Sequence, residues 1–222
     1  MVIPVNDEEE LLERCLAAVH DALGHLDDLE GPARVRVILV LDACTDGSAG
    51  IAARWPLVET LVLSKRRVGA ARAHGVRHAI DSSGAPASRL WIANTDADSR
   101  VPSHWIAHQL DLARTGVDVM LGAIRPEPRD LTPHQFREWQ LRHLAAAPTA
   151  HVHGANLGVR AAAYLEAGGF PDVREHEDVT LVEQLRRVGA IIQSTDACWV
   201  QTSARTTGRT PGGYAAHVRA FY

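Results

Sequence analysis

The chain has 222 residues, with 23 lysines and arginines against 27 aspartates and glutamates, so its formal net charge is −4. This length suits one domain with a substantial core, and a content of 46% hydrophobic and 23% charged residues argues against a disordered chain. A mildly acidic protein has no overall electrostatic attraction for nucleic acids or anionic membranes, so neither is expected as a partner.

The cysteines indicate a reducing compartment. Cys15, Cys44 and Cys198 are widely separated and form no Cys-x-x-Cys pair, which argues against a disulfide framework or a structural zinc site.

No run approaches the roughly 20 apolar residues that cross a bilayer, and no signal peptide is recognisable. Residues 1–5 already resemble a strand, so either the start is trimmed or this strand is short at its outer end. We expect a soluble, cytoplasmic protein.

Predicted strands and helices alternate along the first half of the chain. Apolar, β-branched runs predict buried strands at residues 2–5, 35–41, 58–63, 90–93 and 117–123. Periodic apolar residues predict helices at residues 11–23, 68–80 and 102–114. Strands separated by helices of this length indicate βαβ units with right-handed connections and a mostly parallel sheet.

The second half has a looser pattern. After a proline-containing loop, helices are predicted at residues 136–147 and 177–188, and apolar stretches occur at 190–194 and 198–200. Residues 202–213 are rich in threonine, arginine and glycine and are predicted to form a mobile loop. No internal repeat or linker is recognisable, so we predict a single α/β domain over residues 1–222.

Polar clusters follow the predicted strands. Ligands of open parallel sheets bind at the carboxyl ends of the strands, and polar residues occupy positions 4–8, 42–47 and 94–98, while Glu177 and Asp178 open a later helix. One strand-end carboxylate could simply cap the next helix. Several clusters at the same edge of the sheet indicate a functional site.

Asp96 and Asp98 are the most informative pair. Two carboxylates separated by one residue in a turning segment can both approach one hard cation and leave positions open for phosphate oxygens and water. Magnesium or manganese is usually held against a diphosphate in this way. Such triplets are common in turns, but this one directly follows the predicted strand at 90–93.

These segments together resemble family 2 glycosyltransferases, which have the GT-A fold. The resemblance runs in order from about residue 2 to about residue 190. It is carried by residues 2–9, 41–48, Gly69 to Gly75, Thr95-Asp96-Ala97-Asp98, and residues 154–160, 167–170 and 177–189.

The resemblance implies a single GT-A, Rossmann-like domain with a mostly parallel central sheet flanked by helices. About residues 1–100 would bind a nucleoside diphosphate sugar, and about residues 101–222 would bind a hydroxyl acceptor. Asp42 would accept a hydrogen bond from the base, and Arg72 would reach the base or the phosphates. The further implied substrate contacts are Pro4, Asn6, Glu8, Asp96, Gly154, Asn156 and Glu177.

The resemblance also implies the catalytic groups. Asp98 would be the principal ligand of Mn²⁺ or Mg²⁺, and Asp96 would bond the ribose or assist the metal. Asp178 would be the general base that takes the proton of the acceptor hydroxyl, a function typically worth about 10²–10⁴-fold in rate. Attack opposite the leaving diphosphate would invert the anomeric centre. Asp178 could also cap its helix, and the two functions are compatible.

Several residues of the second half have alternative interpretations. Arg205 and Arg209 could close over the diphosphate as a lid or belong to a solvated loop. His217 could complete the metal shell or lie on a helix surface. His151 and His153 are expected near the acceptor pocket rather than at a zinc ion. Trp139 is expected to pack in the core rather than stack on a sugar, and a homodimer through residues 136–147 stays open.

Departures from the family pattern affect the predicted specificity. Many relatives have Asp-Asp-Gly-Ser-Thr-Asp where this chain has the one-residue-shorter segment 42–46, which leaves the preferred base open. The Gln-x-x-Arg-Trp segment of processive synthases is absent, which favours single transfer to a smaller acceptor or to a lipid or glycan hydroxyl.

Two alternative functions remain. The first is a nucleotidyltransferase that makes the donor, although residues 6–9 are not a glycine-rich phosphate loop. The second is a non-catalytic domain that binds nucleotide sugars.

Overall fold

One eight-stranded sheet organises the residues that the computed structural model describes, namely 1–28, 34–143, 151–173, 175–208 and 213–221. The strand order is β3-β2-β1-β4-β7-β6-β8-β5. β1 to β4 run parallel, β6 and β8 run parallel to each other, and β7 and β5 are antiparallel to their neighbours. The strands are β1 (Val2–Val5), β2 (Val37–Asp42), β3 (Val58–Leu63), β4 (Trp91–Asn94), β5 (Ser99–Arg100), β6 (Val119–Pro126), β7 (Leu157–Arg160) and β8 (Ile192–Thr202).

Helices cover both faces of this sheet, and short 3₁₀ turns lie at Ala87–Arg89, Pro128–Asp130 and Gly154–Asn156. No helix within the described ranges is both long enough and apolar enough to span a membrane. The helices are α1 (Leu12–Asp28), α2 (Ser48–Ala52), α3 (Val68–Asp81), α4 (Trp105–Arg114), α5 (Pro133–His143), α6 (Ala161–Glu166), α7 (Glu177–Arg187) and α8 (Tyr214–Phe221).

The hydrophobic core lies on both faces of the sheet because successive strand residues point to opposite sides. Ile3 belongs to the cluster formed with α1 and α4, which includes Leu16 and Trp105. Val2, the preceding residue, belongs to the cluster on the other face with residues of α3, α6 and α7. Burial on both faces explains why the parallel strands read as continuous apolar runs.

The structure confirms the predicted strands and helices of the first half to within a few residues and adds elements that the sequence pattern missed. α4 begins at Trp105 and not at Pro102, because a turn bonded from the Trp105 amide to the Pro102 carbonyl precedes it. The apolar stretches at 190–194 and 198–200 form one strand, β8. β7 was missed because it is short and contains Gly158, where a Cβ would lie 2.4 Å from the Gln109 Oε1 atom.

The helix predicted at 177–188 is confirmed as α7, whereas two other predictions of the second half fall partly outside the described residues. α5 begins at Pro133, three residues before the predicted start of its helix, and residues 144–147 of that prediction lie outside the described ranges. Of the loop predicted at 202–213, residues 203–208 have no helix or strand, and residues 209–212 are not described.

The close approach of α3 to the sheet gives a stability prediction. A Cβ at Gly75 would lie 2.6 Å from Val2 Cγ1 and 2.9 Å from Val40 Cγ2, whereas one at Gly24 of α1 would meet no atom within 4 Å. We expect Gly75→Ala to lower the free energy of unfolding by about 1–3 kcal/mol through overpacking. The control Gly24→Ala should raise it by roughly 0.5–1 kcal/mol because alanine favours the helix. Urea unfolding measures both, and a Gly75→Ala variant as stable as the unmodified protein would contradict this packing.

Candidate active site

A cleft of about 920 Å³ lies at the carboxyl edge of the parallel strands. It is lined by segments that follow β1, β2, β3, β4 and β8, together with the start of α7, as expected for an open parallel sheet. The predicted site residues that line this cleft are Pro4, Asn6, Glu8, Asp42, Arg72, Asp96, Asp98, Gly154, Glu177, Asp178 and Arg205.

Acidic side chains from two strand ends meet the guanidinium of Arg205. Arg205 donates to both carboxylate oxygens of Glu8, at 2.8 and 2.6 Å, and its Nη2 atom lies 3.1 Å from Asp98 Oδ2. Burial and the nearby carboxylate of Asp96 raise the pKa of Asp98, while Arg205 acts in the opposite direction. Carboxylates thus outnumber cations at this point. A set of hard oxygen atoms with excess negative charge fits a divalent ion such as Mg²⁺ or Mn²⁺.

Arg72 lies buried at the floor of the cleft and bridges its two halves. The side chain is 3% exposed, and it donates through one terminal nitrogen to Asp96 and through the other to Glu177. Burial lowers the pKa of Arg72, but these carboxylates raise it by more, so the group stays charged. Burial raises the pKa of Glu177, and the Arg72 charge opposes that shift. A Cβ at Gly154 would lie 2.4–2.6 Å from the guanidinium, so this position leaves room only for glycine.

This bridge gives Arg72 and Glu177 a structural role. Both line the cleft, where substrate contact stays a prediction, and the two terminal nitrogens of Arg72 bond Asp96 and Glu177. We therefore describe them as positioning residues for the segments that carry Asp98 and Asp178. The sequence pattern could not indicate the pairing of Arg72 with Glu177, because the two residues are 105 positions apart in the chain.

Asp178 lies in the first turn of α7, and backbone amides hold both of its carboxylate oxygens. Oδ2 accepts from the Gly154 amide at 2.7 Å, and Oδ1 accepts from the Val179 amide at 2.8 Å. His176, which precedes the helix, has φ of 60°. This left-handed residue turns the chain into α7, so that Glu177 is buried against Arg72 while Asp178 lines the cleft.

Asp42 holds the loop that follows β3. Its carboxylate accepts from the backbone amides of Lys65 at 2.6 Å, Arg66 at 2.9 Å and Arg67 at 2.7 Å. These bonds use three of the roughly four acceptor positions of a carboxylate. Sequence reasoning missed this role, and hydrogen bonding of Asp42 to the nucleotide base stays a prediction. Asn6 supports the same corner, because its side-chain amide donates to the Asp42 carbonyl at 2.7 Å.

A second acidic group follows β1 and β2. The ligand atoms of Asp7, Cys44 and Asp46 all lie within 4.8 Å of one another. Asp7 accepts from the amides of Thr45 at 2.6 Å and Asp46 at 3.2 Å, and these backbone hydrogen bonds lower its pKa. Asp46 in turn accepts from the backbone amide of Glu9 at 2.8 Å. The carboxylates therefore brace the loop after β2, and we assign no metal to them.

Asn156 lies behind the cleft wall, which corrects its prediction as a substrate contact. The fully buried side chain accepts from Trp105 Nε1 at 2.8 Å and donates to the carbonyls of Ala123 at 2.8 Å and Cys198 at 3.0 Å. It ties α4, β6 and β8 together, and its polar atoms are used within the protein. Gly122 makes room for it, since a Cβ there would lie 2.2 Å from Asn156.

The other predicted residues of the second half are only partly described. Arg209 and the side chain of His217, which lies in α8, fall outside the described part of the chain. His151 and His153 line the cleft, with ring centroids 6.2 Å apart. Trp139 is 5% exposed and stacks on Phe136, which confirms core packing at the cleft edge.

Several solved glycosyltransferases have a similar fold. A mannosyltransferase from Pyrobaculum calidifontis, in complex with GDP-Man and Mn²⁺, is 20% identical with a TM-score of 0.67, over 94% of this chain and 57% of that one. A glucosyl-3-phosphoglycerate synthase from Mycobacterium tuberculosis, with Mn²⁺, UDP and phosphoglyceric acid, is 16% identical with a TM-score of 0.59, over 99% and 75%. GalNAc-T7, with UDP, GalNAc and Mn²⁺, is 14% identical with a TM-score of 0.62, over 98% and 47%.

These likenesses establish the GT-A fold, a mostly parallel sheet with helices on both faces. The chain spans only 57% of the mannosyltransferase and 47% of GalNAc-T7. A search of curated proteins finds no similar sequence. The model of glycosyl transferase family 2 matches residues 1–157. Since this match covers most of the chain, the protein belongs to glycosyl transferase family 2.

The Arg72 bridge predicts a large and specific effect on stability. Arg72→Met leaves Glu177 as an uncompensated buried charge, and breaking a buried pair in this way typically costs about 3–5 kcal/mol. Adding Glu177→Gln removes that charge and should recover part of the loss. As a control, Arg114→Ala breaks an exposed pair with Asp111 and should cost less than about 1 kcal/mol. Urea unfolding of the four proteins tests this, and a double variant no more stable than Arg72→Met would argue against the bridge.

Proposed function

We propose that this cleft transfers a sugar from a nucleoside diphosphate sugar to a hydroxyl acceptor, one sugar at a time and with inversion at the anomeric carbon. The observation that carries the proposal is the convergence of Glu8, Asp96, Asp98 and Asp178 on one cleft at the carboxyl edge of the sheet. Membership of glycosyl transferase family 2 supports it. The missing Gln-x-x-Arg-Trp segment supports single transfer.

The donor end of the cleft contains the metal-binding carboxylates. Mn²⁺ or Mg²⁺ is the cofactor, in keeping with the Mn²⁺ of the mannosyltransferase and the Mg²⁺ and UDP of one synthase structure. Asp98 and Asp96 would hold the ion, with His217 as a further ligand. When bound there, the ion would neutralise charge on the leaving diphosphate. Donor contacts are proposed from Pro4, Asn6, Glu8 and Asp42, together with Gly154.

Arg205 is suited to bind the diphosphate of the donor. Its guanidinium already lies among the carboxylates of Glu8 and Asp98, and its planar donors match phosphate oxygens well. The residue belongs to the segment after β8, so movement of this segment would close the donor end. Arg209, four residues further along, is proposed to act in the same lid.

Asp178 is the proposed general base. The acceptor hydroxyl oxygen attacks the anomeric carbon, the bond from that carbon to the diphosphate oxygen breaks, and the hydroxyl proton passes to the Asp178 carboxylate. The amides of Gly154 and Val179 fix the orientation of the carboxylate before the acceptor arrives. Each carboxylate oxygen keeps a second lone pair for the proton.

The role of the base is tested with Asp178→Asn. The amide keeps the shape of the side chain but cannot take a proton, so we expect release of nucleoside diphosphate to slow by about 10²–10⁴-fold. Donor affinity should change little. Glu175 also lines the cleft and is only partly buried, so Glu175→Gln is a matched control with near-normal rate. An Asp178→Asn variant that turns over the donor at the unmodified rate would exclude Asp178 as the base.

The metal site is tested with Asp98→Asn. Ligand binding stabilises a folded protein by about 2.7 kcal/mol at a hundred times the dissociation constant. The melting temperature is measured with UDP and with GDP, each in the presence and absence of MnCl₂. We expect a Mn²⁺-dependent increase in melting temperature that Asp98→Asn abolishes. Asp196 is an exposed cleft residue, and Asp196→Asn should keep the increase. Retention of the full Mn²⁺-dependent shift by Asp98→Asn would place the ion elsewhere.

A further inference from the structure

The arginines that line the cleft differ in how they are neutralised. Arg72 and Arg205 are held by the carboxylates described above, and Arg67 forms an ion pair of 2.7 Å with an aspartate. Neither Arg66 nor Arg125 has a hydrogen bond or ion pair from its side chain to any residue in the described ranges. These two guanidinium groups are therefore available to an anionic ligand.

Arg125 is held in place without using its hydrogen-bond donors. It lies at the carboxyl end of β6, is partly buried, and its Cζ atom stands 4.3 Å from the ring centroid of Trp199 on β8. Stacking engages the face of the guanidinium and leaves the N–H groups at its edge free. A planar fork fixed in this way is prepared for a two-point contact with an oxyanion.

The position of Arg125 assigns it to the acceptor end of the cleft. The Ala123 carbonyl, two residues earlier on β6, accepts from Asn156, so this end of β6 adjoins the segment that contains Gly154. The Gly154 amide holds Asp178, the proposed base. Arg66 belongs instead to the donor end, because its amide bonds Asp42.

We propose that the acceptor carries an oxyanion, either a phosphate or a carboxylate, besides the hydroxyl that receives the sugar, and that Arg125 binds this oxyanion. The inference rests on the proposed function, since Asp178 defines which end of the cleft receives the acceptor. A partly buried guanidinium without an anionic partner is unfavourable, and an anionic ligand provides that partner.

The test begins with the donor site, so that the two proposals fail separately. UDP and GDP are titrated by calorimetry in the presence of Mg²⁺, and this step depends on the proposed function alone. The protein, saturated with whichever nucleotide binds, is then titrated with inorganic phosphate, glycerol 3-phosphate, D-glycerate and glycerol. The last three probes share a three-carbon skeleton and carry a phosphate, a carboxylate or no charge. If no nucleotide binds, the free protein is titrated.

We expect phosphate and at least one anionic three-carbon probe to bind, the latter at least tenfold more tightly than glycerol. Comparison of glycerol 3-phosphate with D-glycerate shows which oxyanion is preferred. Absence of binding by phosphate and both anionic probes, or equal affinity for glycerol, would overturn the proposal.

Variants then assign the effect to Arg125. Arg125→Ala should weaken binding of the anionic probes about tenfold or more, and Arg125→Lys, which keeps the charge but not the fork, should have an intermediate effect. Arg129 is exposed and lies outside the cleft, so Arg129→Ala controls for the loss of one positive charge nearby. Nucleotide affinity should be unchanged in all three variants. Equal losses in Arg125→Ala and Arg129→Ala, or no loss in either, would refute the assignment to Arg125.

Discussion

The buried guanidinium of Arg72 fixes how the two halves of the cleft face each other. It bonds Asp96, which follows β4, and Glu177, which opens α7. Removing the charges of Arg72 and Glu177 from water is costly, and these two buried groups are stable only when they are paired. Asp98 lies two residues after Asp96, and Asp178 directly follows Glu177. The spacing between the proposed metal ligand and the proposed base therefore depends on this one ionic bridge, and Gly154 provides the space that it occupies.

The carboxylates around the cleft divide into those that brace the backbone and those that keep charge available for chemistry. Asp42, Asp7 and Asp46 accept several backbone amides each and hold the loops after β2 and β3. Within the described residues, the carboxylate of Asp98 is contacted by one guanidinium and two hydroxyls and by no backbone amide. An acidic residue at a strand end is thus a weak indication of function by itself. The hydrogen bonds that it already makes decide whether it can bind a ligand.

Local patterns were sufficient to predict β1 to β4 and β6, the three long helices of the first half and the edge of the sheet at which the cleft lies. The reason is that burial on both faces of a parallel sheet gives continuous apolar runs, and the carboxyl edge collects the polar residues that follow them. The position of Asn156 could not be predicted, because its burial depends on Trp105 and Cys198, which lie 51 and 42 residues away along the chain. The partners of Arg72 and the stacking of Arg125 on Trp199 are likewise contacts between distant segments.

The identity of the nucleotide product tests the central claim most directly. The protein would be incubated with Mn²⁺ and a panel of UDP- and GDP-sugars, and in parallel with sugar 1-phosphates and nucleoside triphosphates. If the protein transfers sugar, either to an acceptor or slowly to water, one of the nucleotide sugars should release a nucleoside diphosphate. Removal of the metal with EDTA should stop this release. Pyrophosphate from the parallel reactions would instead identify a nucleotidyltransferase. Tight nucleotide binding with no product in either set would identify a binding domain without transferase activity.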